Sequence, residues 1–111
     1  MDEKFKKYLP LGSVVLMNGG KKRVMVTGYV VKSPQAEGKI FDYVGCLWPE
    51  GVISSDKNLM FNHKDIAQVF AIGYVDEEQK KFMGVLNTAT DALHERLAKE
   101  MAEQNNSNVN N

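Results

Sequence analysis

The spacing of apolar residues changes at Asp76, and no other feature of the sequence constrains the fold as strongly. Upstream of Asp76, short apolar runs alternate with Gly, Pro, Asn and Ser, a pattern typical of short β-strands joined by turns. Downstream, apolar residues recur every three or four positions, as on one face of an α-helix. The sequence therefore predicts an α+β fold. A curved antiparallel β domain over residues 1–75 is followed by one long amphipathic α-helix over residues 76–103.

Residues 9–31 give the clearest β signal. Two apolar runs are joined by Asn18-Gly19-Gly20, whose residues tolerate the positive φ angles of a tight hairpin turn. Later strands are expected at about residues 39–48, 58–61 and 67–75, with one helical turn before the last. Glycines within the strands, at positions 28, 45 and 73, indicate places where the backbone bends or another segment comes close. They favour a small curved sheet or an SH3-like rolled barrel.

The predicted helix is longer than a small β domain can cover, at roughly 40 Å for a rise of 1.5 Å per residue. We expect it to pack on the β domain and to overhang it in part. Its distal apolar residues, Leu93, Leu97 and Met101, then become candidates for contact with another protein or for homo-oligomer formation. Residues 104–111 are almost all Asn, Gln and Ser, and a disordered tail is expected there.

The composition argues against several classes of protein. The 14 basic residues balance 14 acidic ones, which is unlike a strongly basic nucleic-acid binder. Cys46 is the single cysteine, so the chain cannot form an internal disulfide, and a reducing compartment is expected. No run is long and apolar enough for a signal peptide or a membrane span. We therefore expect a cytoplasmic protein without a membrane partner.

The residues that commonly carry chemistry are few and scattered. His63 lies beside Asp65 in the predicted helical turn, and Cys46 lies in an apolar strand. His94 lies on the helix in a sequence that lacks the second histidine of the HExxH zinc motif. These contexts favour a capped turn for His63, a small buried residue for Cys46 and an exposed helix position for His94. We expect no catalytic residue, no metal and no cofactor, and therefore no enzyme.

Aromatic residues of the predicted strands suggest a core and one contact surface. With Trp48, the side chains of Tyr43, Phe61 and Tyr74 could line an aromatic groove of the kind that small barrels use for peptides or single-stranded RNA, but core packing is expected for most of them. Trp48 precedes Pro49 and Glu50, which places a large aromatic side chain beside a rigid, exposed turn. The predicted partner-binding residues are Trp48, Pro49, Glu50, Leu93, Leu97 and Met101.

Lys21, Lys22 and Arg23 follow the hairpin turn and form a basic tip. Charges at such a position keep the tip soluble and discourage edge pairing. They could also hold phosphate groups. The alternative function is therefore binding of RNA or another nucleic acid by an SH3-like module through the basic tip. The balanced net charge argues against this alternative.

Several short motifs, taken in order, resemble one family. They are Leu9-Pro10-Leu11-Gly12-Ser13, Gly19-Gly20, Phe41-Asp42-Tyr43, Pro49-Glu50-Gly51, Phe61-Asn62-His63 and Gly73-Tyr74. Together they are similar to the domain of unknown function 4176 family of Gram-positive bacteria. Members of that family occur in type VII secretion loci, commonly beside LXG toxins. The resemblance implies a cytosolic chaperone or targeting factor that binds the toxin, or its small helical targeting partners, before export, and it implies no catalytic residue.

Overall fold

The computed structural model of the chain describes residues 8–33 and 39–109, with the backbone alone described at Ser55, Met101 and 103–109. Within these residues, five β-strands precede one α-helix, and two short 3-10 turns, Ser55–Lys57 and His63–Asp65, flank the fourth strand. The strands are β1 (Val14–Met17), β2 (Val24–Lys32), β3 (Ile40–Leu47), β4 (Leu59–Phe61) and β5 (Ile66–Ala71), and the helix is α1 (Glu77–Val109). The predicted α+β class is confirmed.

The strands form one open antiparallel sheet in the order β4-β3-β2-β1-β5. Of the two sheet forms that the sequence predicted, the open sheet is observed and the closed barrel is not. Strands β4 and β5 form its two edges. The third strand pairs with β2 along its whole length, from Val24↔Leu47 to Lys32↔Ile40, and thereby joins the hairpin to the rest of the sheet.

The predicted hairpin is confirmed, with Val14 opposite Met25 and Val15 opposite Val24. Gly19 has a φ angle of +75°, as the turn requires. Gly45 has a different reason to be glycine. An added Cβ there would lie 2.6 Å from the Met25 carbonyl oxygen, so the neighbouring strand leaves no room for a side chain.

The end of β5 differs from the prediction, because the strand stops at Ala71 instead of continuing to residue 75. The N–H of Gly73 donates a hydrogen bond to Ser13 Oγ at 3.0 Å instead of joining the ladder. An added Cβ on Gly73 would collide with the Leu11 carbonyl group. Directly after β5, the chain therefore contacts the segment that precedes β1 and no longer pairs with the sheet.

The core contains a segment before β1 whose burial the sequence did not predict. Tyr8, Leu9, Pro10 and Ser13 are all buried, and we call residues 8–13 the leading segment. The other buried apolar residues of the described chain come from the strands and are Val14, Val15, Val24, Val26, Tyr43, Cys46 and Phe61. The burial of Cys46 confirms its assignment as a small core residue.

The chain divides into two compact units, residues 1–76 and 77–111, and the second consists of α1. The start of α1 at Glu77 confirms the predicted change of structure after Asp76. Its end corrects the prediction, since residues 104–109 were expected in a disordered tail and continue the helix to Val109. No Gly or Pro follows Gly84, and Asn weakens a helix by only tenths of a kcal/mol per residue, so nothing in that sequence terminates the helix. Residues 110–111 lie outside the described residues.

Candidate functional site

The Tyr43 hydroxyl is the centre of a polar cluster in the sheet unit. It accepts a hydrogen bond from the Leu9 N–H at 2.9 Å and lies 2.8 Å from His63 Nδ1. The Tyr29 hydroxyl donates to the Leu9 carbonyl at 2.6 Å. Both backbone groups of the buried Leu9 are therefore satisfied by tyrosines from β2 and β3.

This cluster is built for packing. The Tyr43 ring stacks on Phe61, with ring centroids 5.3 Å apart, and on His63 at 5.8 Å. Burial raises the pKa of Tyr43 far above its usual value and raises the pKa of Tyr29 to about 12. Both hydroxyls stay protonated at neutral pH, so they hold the leading segment in place and do not act as bases.

The sequence predicted a capped turn at His63 but did not reveal the surroundings of its ring. The backbone N–H of His63 donates to Asp42 Oδ2 at 2.9 Å, and the backbone N–H of Asp42 donates to Asn62 Oδ1 at 3.1 Å. The Asp65 carboxylate accepts the Asn62 N–H, which confirms the predicted capped turn. Burial lowers the pKa of His63, and its Nε2 atom has no hydrogen-bond partner among the described residues. His63 is therefore a neutral ring that joins the 3-10 turn to Tyr43.

A second cluster lies on the surface, where the structure brings together two groups that the sequence separates. The Trp48 N–H donates to the Arg23 carbonyl at 2.9 Å, and Lys22 Nζ lies 2.6 Å from Glu50 Oε1. The basic tip and the Trp48-Pro49-Glu50 turn are therefore neighbours. We call Lys22, Arg23, Trp48, Pro49 and Glu50 the corner surface.

The corner surface combines an aromatic ring with charges of both signs. Trp48 is 37% exposed, and the Lys22 ammonium lowers the pKa of the exposed Glu50 carboxyl by its hydrogen bond. The turn is closed by the Gly51 N–H, which donates to the Leu47 carbonyl at 2.8 Å, and Gly51 has a φ angle of +83°. Because this hydrogen bond fixes the turn, Trp48 and Glu50 are held in position without a ligand.

Arg23 extends this surface towards β5. Its guanidinium carbon lies 5.7 Å from the centroid of the Phe70 ring, within the range of a cation–π contact. The sequence did not single out Phe70, which is 48% exposed, and the expectation that most of the strand aromatics pack in the core fails for Tyr74, which is 79% exposed. The apolar alternation of β5 was a valid strand signal, but it does not reveal which face another element covers.

The candidate residues on α1 are less exposed than the sequence predicted. Leu93 and Leu97 are half-buried, and the side chain of Met101 lies outside the described residues. Among the residues of α1 whose side chains the structure describes, the exposed large apolar ones are instead Phe82 and Val85. The sequence did not reveal their exposure, because helical spacing gives the width of an apolar stripe but not its centre.

Among residues 8–33 and 39–109, no group of three or more His, Cys, Asp or Glu side chains is arranged to hold a metal ion. The one long helix of the described chain, α1, is too polar to span a bilayer.

The fold and the surface define a small α+β protein with an open antiparallel sheet, one long helix and an exposed aromatic corner. Residues 8–82 match the family model described as "Domain of unknown function (DUF4176)", and the chain therefore belongs to this family. The resemblance drawn from the motifs is thus confirmed. Neither the curated proteins nor the solved structures give a match to this chain.

Proposed function

We propose that this protein is a non-enzymatic, cytoplasmic accessory of type VII secretion. It binds an LXG toxin, or the small helical targeting proteins that accompany the toxin, and acts as a chaperone or targeting factor before export. Membership of the DUF4176 family supports this role, because members of the family are expected in type VII secretion loci. The observation that carries the binding role is the exposed, preorganised corner surface.

Three properties of the corner surface suit a protein partner. Tryptophan is the residue type that most often dominates binding energy at an interface. The backbone around Trp48 is already fixed by hydrogen bonds to Arg23 and across the turn, so binding orders little. The Lys22–Glu50 pair is nearly half exposed, so either charge can exchange its partner for one on another protein. An amphipathic helix with an apolar ridge between charged residues matches this arrangement.

The direct test measures the dissociation constant between this protein and the N-terminal region of the toxin encoded beside it. Trp48→Ala should weaken the complex by at least about 30-fold, because a hot-spot residue contributes about 2 kcal/mol or more. Leu59→Ala removes an exposed apolar side chain elsewhere in the sheet unit and should leave the affinity unchanged. Equal affinities for parent and Trp48→Ala would exclude the corner surface as the docking site.

The helix residues require a separate comparison. Leu93→Asp combined with Leu97→Asp places two carboxylates on half-buried positions, whereas Val85→Asp places one on an exposed position. Helical content measured by circular dichroism separates loss of the interface from loss of the helix. If the double variant stays helical and loses the toxin while Trp48→Ala retains it, α1 is the docking surface, with Met101 as its extension.

The alternative of nucleic-acid binding depends on the basic tip. Two cations of the basic tip already contact other side chains, since Lys22 pairs with Glu50 and Arg23 lies over Phe70. Replacing Lys21, Lys22 and Arg23 by Ser should therefore remove no tight RNA binding, because we expect none in the parent. Sub-micromolar, salt-sensitive RNA binding by the parent would favour the alternative.

A further inference from the structure

The hairpin turn between β1 and β2 carries a residue pair whose chemistry the proposed function does not use. Asn18 is followed by Gly19, and this is the single Asn-Gly pair in the chain. Asparagine is one of the thermally labile residue types, because its side-chain amide carbon can close a ring with the backbone nitrogen of the next residue. Glycine has no Cβ that would obstruct this ring closure. The pair therefore has the composition of a site that modifies itself.

The structure leaves the reacting atoms of this pair accessible. Asn18 and Gly19 are both exposed, and an added Cβ at Gly19 would meet nothing within 4 Å. Among the described residues, no acceptor takes a hydrogen bond from the Gly19 N–H, whereas the N–H of Gly20 donates to the Met17 carbonyl at 3.0 Å. The Gly19 nitrogen, which has to attack, can therefore lose its proton to water or hydroxide.

Asn18 also joins the hairpin turn to the 3-10 turn before β5. Its Nδ2 atom donates to the Lys64 carbonyl at 3.2 Å, and its backbone N–H donates to the Asp65 carbonyl at 2.8 Å. The side-chain hydrogen bond lies at the long end of the normal range, so it restrains the amide only weakly. A reaction at the amide would remove this hydrogen bond.

We propose that Asn18 is a site of spontaneous deamidation in the folded protein. The Gly19 nitrogen gives its proton to a solvent base and attacks Asn18 Cγ, and the new N–Cγ bond closes a succinimide ring. The Cγ–Nδ2 bond breaks, and Nδ2 takes a proton from water and leaves as ammonia. Water then opens the ring. Opening at Cγ gives aspartate, and opening at the backbone carbonyl carbon gives isoaspartate, in which the main chain passes through Cγ. The net reaction consumes water and releases ammonia, without an oxidant or a reductant.

The product cannot make the contact that the amide makes. A carboxylate only accepts hydrogen bonds, so an aspartate faces the Lys64 carbonyl without a donor, and the two oxygens repel each other. Isoaspartate also lengthens the main chain within the turn that the Gly20 N–H and the Met17 carbonyl close. Deamidation therefore loosens the hairpin turn from the 3-10 turn and adds a negative charge beside the basic tip. This inference does not depend on the proposed secretion role.

The first test follows the purified full chain during incubation at neutral and at mildly alkaline pH, by tryptic peptide mapping and mass spectrometry. Cleavage after lysine and arginine leaves Asn18 as the single asparagine of peptide 8–21, while peptides 58–64 and 82–96 carry asparagines that are not followed by glycine. Peptide 8–21 should lose its amide first and give two products of equal mass, aspartate and isoaspartate. The loss should be faster at the higher pH, because the Gly19 nitrogen must lose a proton.

Two results of this mapping would overturn the proposal. One is loss of amide from peptide 8–21 that is no faster than the loss from peptides 58–64 and 82–96. The other is loss that occurs only when the chain is unfolded in denaturant, since the folded turn would then protect the amide. Asn18→Gln retains an amide but places its carbon one bond farther from the attacking nitrogen, so peptide 8–21 of this variant should stay unchanged. Equal conversion of the variant would exclude the succinimide route.

A second test measures what the product does to the fold. Asn18→Asp carries the aspartate product from the outset and should lower the denaturant midpoint relative to the parent. Gln68→Glu makes the same exchange of amide for carboxylate at an exposed position of β5 and should not lower it. The loss in Asn18→Asp should shrink below about pH 4, the usual pKa of aspartic acid, because the protonated carboxyl can again donate to the Lys64 carbonyl. Equal midpoints for parent and Asn18→Asp at every pH would show that deamidation does not loosen the turn.

Discussion

The sheet unit and the helix α1 are specified in different ways. In the sheet unit, individual positions accept a single residue type because their neighbours are fixed. An added Cβ at Gly73 would meet the Leu11 carbonyl group, and the Tyr43 hydroxyl serves both Leu9 and His63. In α1, an added Cβ at Gly84 would meet nothing within 4 Å. The sheet unit thus depends on particular contacts, whereas α1 depends on backbone propensity and on the width of its less exposed face.

The largest effect is expected from Tyr43→Ala. It removes a fully buried ring and leaves the Leu9 N–H and His63 Nδ1 without their shared partner, so the free energy of unfolding should fall by about 3–5 kcal/mol. Tyr74→Ala removes the same side chain from an exposed position and should change stability by no more than about 0.5 kcal/mol. Denaturant unfolding followed by tryptophan fluorescence measures both. Similar losses for the two variants would contradict the assignment of the core.

Gly73→Ala should cause the second largest loss in the free energy of unfolding. The added methyl group collides with the backbone of Leu11, which a side-chain rotation cannot relieve, so we expect a loss of about 1–3 kcal/mol. The same experiment on Gly12→Ala tests a second cause, since Gly12 has a φ angle of +88° and the nearest non-neighbouring atom to an added Cβ is 3.8 Å away. That variant should lose less, because it carries backbone strain without a collision. A stable Gly73→Ala protein would show that the leading segment does not lie against Gly73.

Gly84→Ala should increase stability, in contrast to the two substitutions above. The position is helical and open, so alanine should stabilise α1 by about 1 kcal/mol through its higher helix propensity. Circular dichroism at 222 nm during thermal unfolding measures the change. A destabilised variant would mean that a partner or another segment approaches Gly84 closely, and the contrast between the two units would then fail.

The smallest effect is expected from pH. Burial lowers the pKa of His63 in the folded state, so below about 6.5, the usual pKa of histidine, the unfolded chain binds a proton more readily than the folded chain. The free energy of unfolding should therefore decrease as the pH falls from 7 to 5. His63→Gln removes this titration and should make the decrease shallower. Identical slopes for parent and variant would contradict the buried, neutral state of His63.

Much of the fold could be read from local patterns. Alternation and turn residues located all five strands, and the change of spacing at Asp76 located the start of α1 to within one residue. The candidate site was predicted only in part. Trp48, Pro49 and Glu50 were identified as an exposed turn, but their proximity to Lys22 and Arg23 depends on the pairing of β2 with β3. Phe70 was missed because strand periodicity does not tell which face stays exposed.

The sequence by itself determined the class of fold, the strand and turn positions, the role of Cys46 and the family, because each of these depends on residues close together in the chain or on ordered motifs. Only the tertiary structure decided the burial of residues 8–13, the bonding of Tyr43 to Leu9 and His63, and the assembly of the corner surface. It also decided that β5 lies at an edge with Phe70 exposed. These features join residues far apart in sequence, and the packing that brings such residues together leaves no local pattern of its own.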